Sequence, residues 1–183
     1  MEVFLTTSRL VLRRFTPQDA DNLLELDSDP EVMKFINGGR PTRRSVIEAT
    51  ILPGYQLYDA GHGHWAAQEA TTGTFIGWFA LQPTSQPKEA ELGYRLRRPH
   101  WGKGYATEGA RALVHKGLET FTRITAQTMT VNKASRHVME KAGLEFVRHF
   151  HHPWPDIIEG SEQGDVEYAI TRPGVSDQPR TRP

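Results

Sequence analysis

Residues 94–108 run Tyr94-Arg95-Leu96-Arg97-Arg98-Pro99-His100-Trp101-Gly102-Lys103-Gly104-Tyr105-Ala106-Thr107-Glu108, and this stretch decides the fold. An alternating strand enters a turn with two glycines, and the turn opens a helix with a small-residue face. The first amides of a helix have no partner within it and carry partial positive charge. Glycines let such a backbone come close to an anion, and a diphosphate would suit it. Two nucleotide-loop patterns fail on spacing. A G-x-x-x-x-G-K-[ST] loop starting at Gly104 reaches Gly109 and then meets Ala110-Arg111. A G-x-G-x-x-G fingerprint needs a third glycine where Thr107 stands. Spacing alone leaves two options open, an anion-binding turn and a tight turn without ligand.

Working outward, residues 89–97 form the strand, with Leu92, Tyr94 and Leu96 on one face. Beyond the turn, Ala106, Ala110, Leu113, Val114, Gly117, Leu118 and Phe121 line one side of a helix. A strand over 124–131 follows, so the unit is β-loop-α-β and its two strands are expected to be parallel. Asn132 suits the cap of a short helix carrying Ala134, Val138, Met139 and Ala142, with Gly143 as its left-handed stop. Strands over 145–150 and 165–171 close the chain around a long loop. Upstream, a strand over 9–15 precedes the helix start Thr16-Pro17-Gln18-Asp19, and Asp29-Pro30-Glu31 repeats that signal. Gly38-Gly39 ends the second helix. A third runs from Thr42 toward Leu52 and is expected to break at Pro53-Gly54. Strands over 64–70 and 74–81 flank the turn Thr71-Thr72-Gly73. Neither a repeat nor a linker interrupts the pattern, so residues 1–172 are expected to be one domain. The proline-rich stretch 173–183 is expected to be a disordered tail.

Composition bounds the function. A chain of 183 residues suits one core, and 37% hydrophobic with 24% charged residues suits a globular protein. Lysine plus arginine equal aspartate plus glutamate at 22 each, so no net field draws nucleic acid or acidic membrane to the whole surface. The chain has no cysteine, which excludes disulfides, thiolate metal sites and cysteine nucleophiles. No signal-peptide pattern opens it and no stretch approaches the ~20 apolar residues of a membrane span, so the cytosol is the expected location. His149 and His151 fall on one strand face, but no carboxylate pattern completes a metal site, and none is expected.

The quoted stretch resembles the phosphate-binding motif of the GNAT superfamily of N-acetyltransferases, [QR]-x-x-G-x-[GA], with Trp101 standing where glutamine or arginine is general. Trp-Gly-Lys-Gly-Tyr-Ala-Thr-Glu is how the RimJ/RimL-type branch commonly spells it. Residues 131–144, from Val131-Asn132 through Glu140-Lys141-Ala142-Gly143-Leu144, resemble the second motif N-x-x-S-x-x-[VL]-x-E-K-x-G-F. The opening Ser8-Arg9-Leu10-Val11-Leu12-Arg13 and the Gly73-x-Phe75-Ile76-Gly77 hairpin are also similar to this branch. The resemblance covers roughly residues 6 to 171. It implies an α/β fold, with a twisted, mostly antiparallel mixed sheet, one splayed parallel strand pair, and helices on both faces.

The resemblance also implies acetyl-CoA as acyl donor. Main-chain groups of Tyr94, Arg95 and Leu96 would hold the pantetheine arm, with the Leu96 amide on the thioester carbonyl. Amides of Gly102, Lys103, Gly104, Tyr105, Ala106 and Thr107 would hold the diphosphate, and Asn132 would reach the cofactor. The acceptor would be a primary amine, either a protein N-terminal α-amine or a small molecule, attacking directly; without cysteine no cysteinyl intermediate can form. A lysine-like amine costs about 4.6 kcal/mol to present uncharged at neutral pH, an α-amine only about 1 to 1.4. Glu91 is the first candidate base, with Glu159 and Glu167 behind it; an exposed strand glutamate is the bland alternative. Ser135 sits where the family places a donor to the leaving thiolate, though a third-position helix hydroxyl would look the same. Tyr105 is a weaker donor candidate, and Trp154 a candidate wall of the acceptor pocket. A silent acyl-CoA-binding module is the alternative that turnover would separate. A monomer and a homodimer both fit.

Overall fold

The computed structural model describes residues 2–59, 61–152 and 158–174. Trp154 and residues 175–183 of the expected tail lie outside the described residues. One eight-stranded mixed sheet organises the chain, built from β1 (Val3–Thr6), β2 (Leu10–Arg14), β3 (Gly63–Glu69), β4 (Phe75–Pro83), β5 (Glu89–Leu96), β6 (Arg123–Met129), β7 (Glu145–Phe150) and β8 (Asp165–Thr171). Their spatial order is β1-β2-β3-β4-β5-β6-β8-β7, and β5–β6 is the parallel pair. Every other neighbouring pair is antiparallel.

Alternation along the strands sends side chains to two cores. On one face Leu10, Leu12, Trp65, Phe79 and Leu81 meet α5 (Tyr105–Gly117) and α6 (Lys133–Lys141). On the other, Ala66, Trp78 and Ala80 meet α1 (Ala20–Ser28) and α2 (Pro30–Asn37). Helix α5 seats closely because Gly109 faces β4: a Cβ there would lie 2.2 Å from Cζ of Phe79. The start at Thr16 is anchored by Asp19, whose carboxylate accepts both Arg13 Nη groups at 2.7 Å and the Thr16 amide at 2.9 Å.

Two sequence expectations change. Strand β1 is additional; it forms because Phe4 stacks on Trp65 with centroids 4.1 Å apart, a contact between residues distant in the chain. The third helix does not break at Pro53-Gly54. Helix α3 (Arg44–Val46) passes through a wide turn, Ile47–Ile51, into α4 (Leu52–Tyr55). Leu52 donates to the Ile47 carbonyl, five residues back, which resets the ladder. Pro53 then falls at the start of a new helical segment, where an N–H has no intrahelical partner to lose.

Candidate functional site

The parallel pair holds together only at its base. Glu89, Ala90 and Glu91 pair with Arg123, Ile124 and Thr125, and no pairing continues above them. The upper half of β5 stays registered on β4 as far as Gly77–Leu96, while the upper half of β6 stays on β8 as far as Met129–Asp165. Each strand is committed to its outer neighbour, so a gap opens between them. Gly77 helps: its φ of 145° and a would-be Cβ 2.1 Å from the Arg95 carbonyl show how closely β4 lies under β5. Arg97 donates to the Ile76 carbonyl at 2.8 Å. By antiparallel alternation, the main-chain groups of Tyr94 and Leu96 therefore face away from β4, into the gap. The Leu96 carbonyl accepts the Trp101 indole N–H at 2.7 Å, a contact the sequence reading missed.

The gap widens into a cavity of about 720 Å³ that reaches both faces of the sheet. Leu96, Gly102, Ala106, Ser135 and Val138 line it on the α5/α6 side; Trp78, Arg95 and α2 residues Val32 and Phe35 line it on the other. Its volume is in the range of small-molecule sites. Glu91 lies at its floor and is shared with a second cavity of about 360 Å³ walled by His64, Trp78 and Gln82. Burial, with the charges of Glu167 and Glu89, pushes the Glu91 carboxyl up. Burial and the charge of Arg95 push the His64 imidazole down to about 4, so it is neutral at pH 7.

At the cavity wall the Tyr94 hydroxyl donates to the Ser135 carbonyl and lies 2.9 Å from Ser135 Oγ. Burial pushes this phenol up to about 12, so it remains a proton donor at neutral pH. Sequence reasoning assigned Tyr94 main-chain groups only. The signal for its side chain was a lone phenol on an otherwise aliphatic face, Leu92, Tyr94 and Leu96. Ser135 occupies the third helical position of α6, and its hydroxyl faces Tyr94. Asn132 caps the helix by accepting from the Ser135 amide at 3.2 Å, while its side-chain amide donates to Thr128 Oγ1 at 3.0 Å. Asn132 nevertheless borders the cavity.

The turn from Gly102 to Thr107 has φ of 71° at Gly102 and 83° at Gly104, the cap residue of α5. The first α5 bond is Glu108 N to Gly104 O at 3.0 Å. Among the described residues, none of the amides from Gly102 to Thr107 donates a hydrogen bond. A Cβ on Gly102 would meet nothing within 4 Å. A row of unpaired amides at a helix start, with open space before it, fits an anion. Lys103 and Gly104 are exposed. Tyr105 is not brought to the gap by its side chain, whose hydroxyl donates to Glu69 Oε1 at 2.5 Å.

Other candidates lie apart. Glu167 is fully buried on β8 and accepts Arg148 Nε and Nη2 at 3.0 and 2.9 Å. Glu159 is exposed in the last loop. His149 packs on Phe146, His151 falls beyond the end of β7, and no group of three metal-ligating side chains occurs among the described residues. Among these residues, no helix is long and apolar enough to cross a membrane.

Comparison with known proteins converges on this geometry. Residues 9–145 match the family model described as Acetyltransferase (GNAT) domain. The chain is 37% identical over 180 residues to the FsC-acetyl coenzyme A-N(2)-transacetylase of Aspergillus fumigatus, covering 92% of this chain and 76% of that one. In structure it is similar to spermidine N-acetyltransferase from Vibrio cholerae in complex with CoA and spermine, with TM-score 0.74, 18% identity and coverage of 90% and 96%. It is also similar to RimL, a ribosomal L7/L12 alpha-N-protein acetyltransferase in complex with CoA, with TM-score 0.76, 17% identity and coverage of 93% and 98%. The family match, the split parallel pair and the unpaired amides agree: the chain belongs to the GNAT family and is an acetyl-CoA-dependent N-acetyltransferase.

Proposed function

We propose that the protein transfers the acetyl group of acetyl-CoA to a primary amine by direct attack, within the RimJ/RimL-type branch, and that its acceptor is an α-amine or a small-molecule amine. The observation that carries this is the split β5–β6 pair, with unpaired amides at one end and a raised carboxyl, Glu91, at its floor. The diphosphate would lie on the amides of Gly102 to Thr107. The pantetheine arm would run along Tyr94 and Leu96, with Arg95 turned to the opposite face and Asn132 at the far wall. The Trp-Gly-Lys-Gly-Tyr-Ala-Thr-Glu spelling supports the branch, and the N(2) in the name of the Aspergillus relative supports a nitrogen acceptor.

Each step has a residue on hand. Glu91 takes a proton from the ammonium form of the acceptor, directly or through water; its raised pKa brings it nearer the pH at which a base works best. The amine nitrogen then bonds to the thioester carbon while the Leu96 amide holds the carbonyl oxygen. The C–S bond breaks as the Tyr94 phenol turns from the Ser135 carbonyl and protonates the leaving thiolate beside the Ser135 hydroxyl, and the second proton of the attacking nitrogen returns through water to Tyr94. An α-amine asks little of such a base, since deprotonating it near neutrality costs about 1 to 1.4 kcal/mol. The test is a panel of N-terminal peptides and small amines incubated with acetyl-CoA, scored by free thiol release. CoA should also raise the melting temperature, as any ligand of the folded state does, and adenosine should do far less. No thiol release above the acceptor-free rate, with no thermal shift at millimolar CoA, rejects the proposal.

A further inference from the structure

The unpaired amides sit on a turn with two glycines, and glycine-rich backbone is costly to order. Something outside the turn has to hold its shape. Glu108, in the first turn of α5, accepts on Oε1 from the Thr7 hydroxyl at 2.7 Å, the Ser8 hydroxyl at 3.0 Å and the Arg9 amide at 2.9 Å. Its Oε2 accepts Arg9 Nε at 2.6 Å. Arg9 in turn donates from Nη1 to the Lys103 carbonyl at 3.0 Å and lies over the Tyr105 ring, 4.6 Å from its centroid. Its Nη2 lies 3.4 Å from where a Gly104 Cβ would stand. Tyr105 continues the chain of contacts to Glu69, at the end of β3. Of these residues none lines the cavity, whereas Gly102 and Ala106 do. The contacts thus grip the turn from behind.

We infer that Arg9 and Glu108 form a brace joining the β1–β2 turn to the Gly102–Thr107 turn, and that Arg9 is a positioning residue for the diphosphate of CoA. This rests on the acyl-CoA reading above. Arg9 reaches the turn at both the Lys103 carbonyl and the Tyr105 ring, so it holds one peptide before Gly104 and one side chain after it. Burial alone would raise the Glu108 carboxyl, but the bonds from Thr7, Arg9 and Ser8 outweigh it and hold it low, so the brace stays charged at neutral pH. A turn already ordered before the ligand arrives spares CoA the cost of ordering it.

The experiment measures CoA affinity by calorimetry, together with amide hydrogen exchange of the ligand-free protein, for wild type, Arg9→Ala, Arg9→Lys and Glu108→Gln. Arg9→Ala and Glu108→Gln should each weaken CoA roughly tenfold. Arg9→Lys keeps the charge without the two-sided fork and should recover part of that loss. Exchange should quicken at the amides of Arg9, Leu10 and Glu108, whose bonds close the brace and the turn, and stay unchanged in the sheet core. A wild type that does not bind CoA overturns the acyl-CoA reading itself. A wild type that binds, with variants that bind as well, overturns the brace alone. Exchange that quickens throughout the molecule also overturns it, because the pair would then be general scaffolding.

Discussion

At the scale of single residues, the site depends on three side chains that touch the gap. Glu91 carries a carboxyl raised first by burial and then by Glu167 and Glu89. A protonated carboxyl cannot accept a proton, so the rate of wild type should fall as pH drops through that raised pKa. Glu91→Gln should lower the rate at neutral pH by the ~10²–10⁴-fold typical of a general base and should lose this acid limb. Raising the pH should restore part of the loss, nearer neutrality for an α-amine than for a lysine-like acceptor. A pH–rate profile identical to wild type would clear Glu91 of any proton role. Tyr94 and Ser135 are tested together. The cap of α6 uses the Ser135 main-chain amide, so Ser135→Ala leaves the helix start intact and removes only the hydroxyl. Turnover should drop about fivefold, the worth of one neutral hydrogen bond, with CoA affinity kept. Tyr94→Phe should cost more, about 10²-fold, if the phenol is the proton donor. Equal and negligible effects in single-turnover measurements would leave the thiolate to solvent.

At the scale of elements, the position of α5 matters most, because the helix carries the turn at its head. Gly109 lets it sit on β4, and a Cβ would overlap the Phe79 ring. Gly109→Ala should overpack this contact and cost about 1–3 kcal/mol. For a chain of this size that amounts to a fall in melting temperature of roughly 2–12 °C, read by calorimetry. An unchanged melting temperature would mean that α5 is not seated as described. The sequence announced α5 through its glycine turn and small face, and announced α6 through Asn132 and Gly143. The wide turn at Ile47–Ile51 was not legible, since Pro53-Gly54 reads as a stop unless tertiary packing carries the chain through.

At the scale of the whole molecule, acid stability rests partly on the buried Arg13–Asp19 pair, which ties the sheet to the first helix. Burial pushes the Asp19 carboxyl up, yet the bonds from Arg13, Thr16 and Asn22 outweigh it, and the net pKa is lowered. A lowered pKa in the folded state means stability that is present above the unfolded value and lost as pH falls through the folded one. Asp19→Asn leaves Arg13 buried without its partner charge, and should cost about 3–5 kcal/mol at neutral pH. The deficit relative to wild type should shrink as pH falls below 4, seen in melting curves taken across that range. A deficit independent of pH would assign it to packing instead of charge.

Most of the strand and helix order, the parallel pair and the anion-suited turn were determined by local patterns. Alternation in residues 89–97, a glycine turn and a capping asparagine need only neighbours in sequence to act. The family resemblance lay in the same local stretches. What only the tertiary structure decided was the company each residue keeps. Tyr94 meets Ser135 across 41 positions, and Glu108 gathers the β1–β2 turn from 99 to 101 positions away. Strand β1 exists because Phe4 finds Trp65. Such pairings depend on sheet register and on the splitting of β5 from β6. Register is settled by both cores at once, so no window of sequence contains it.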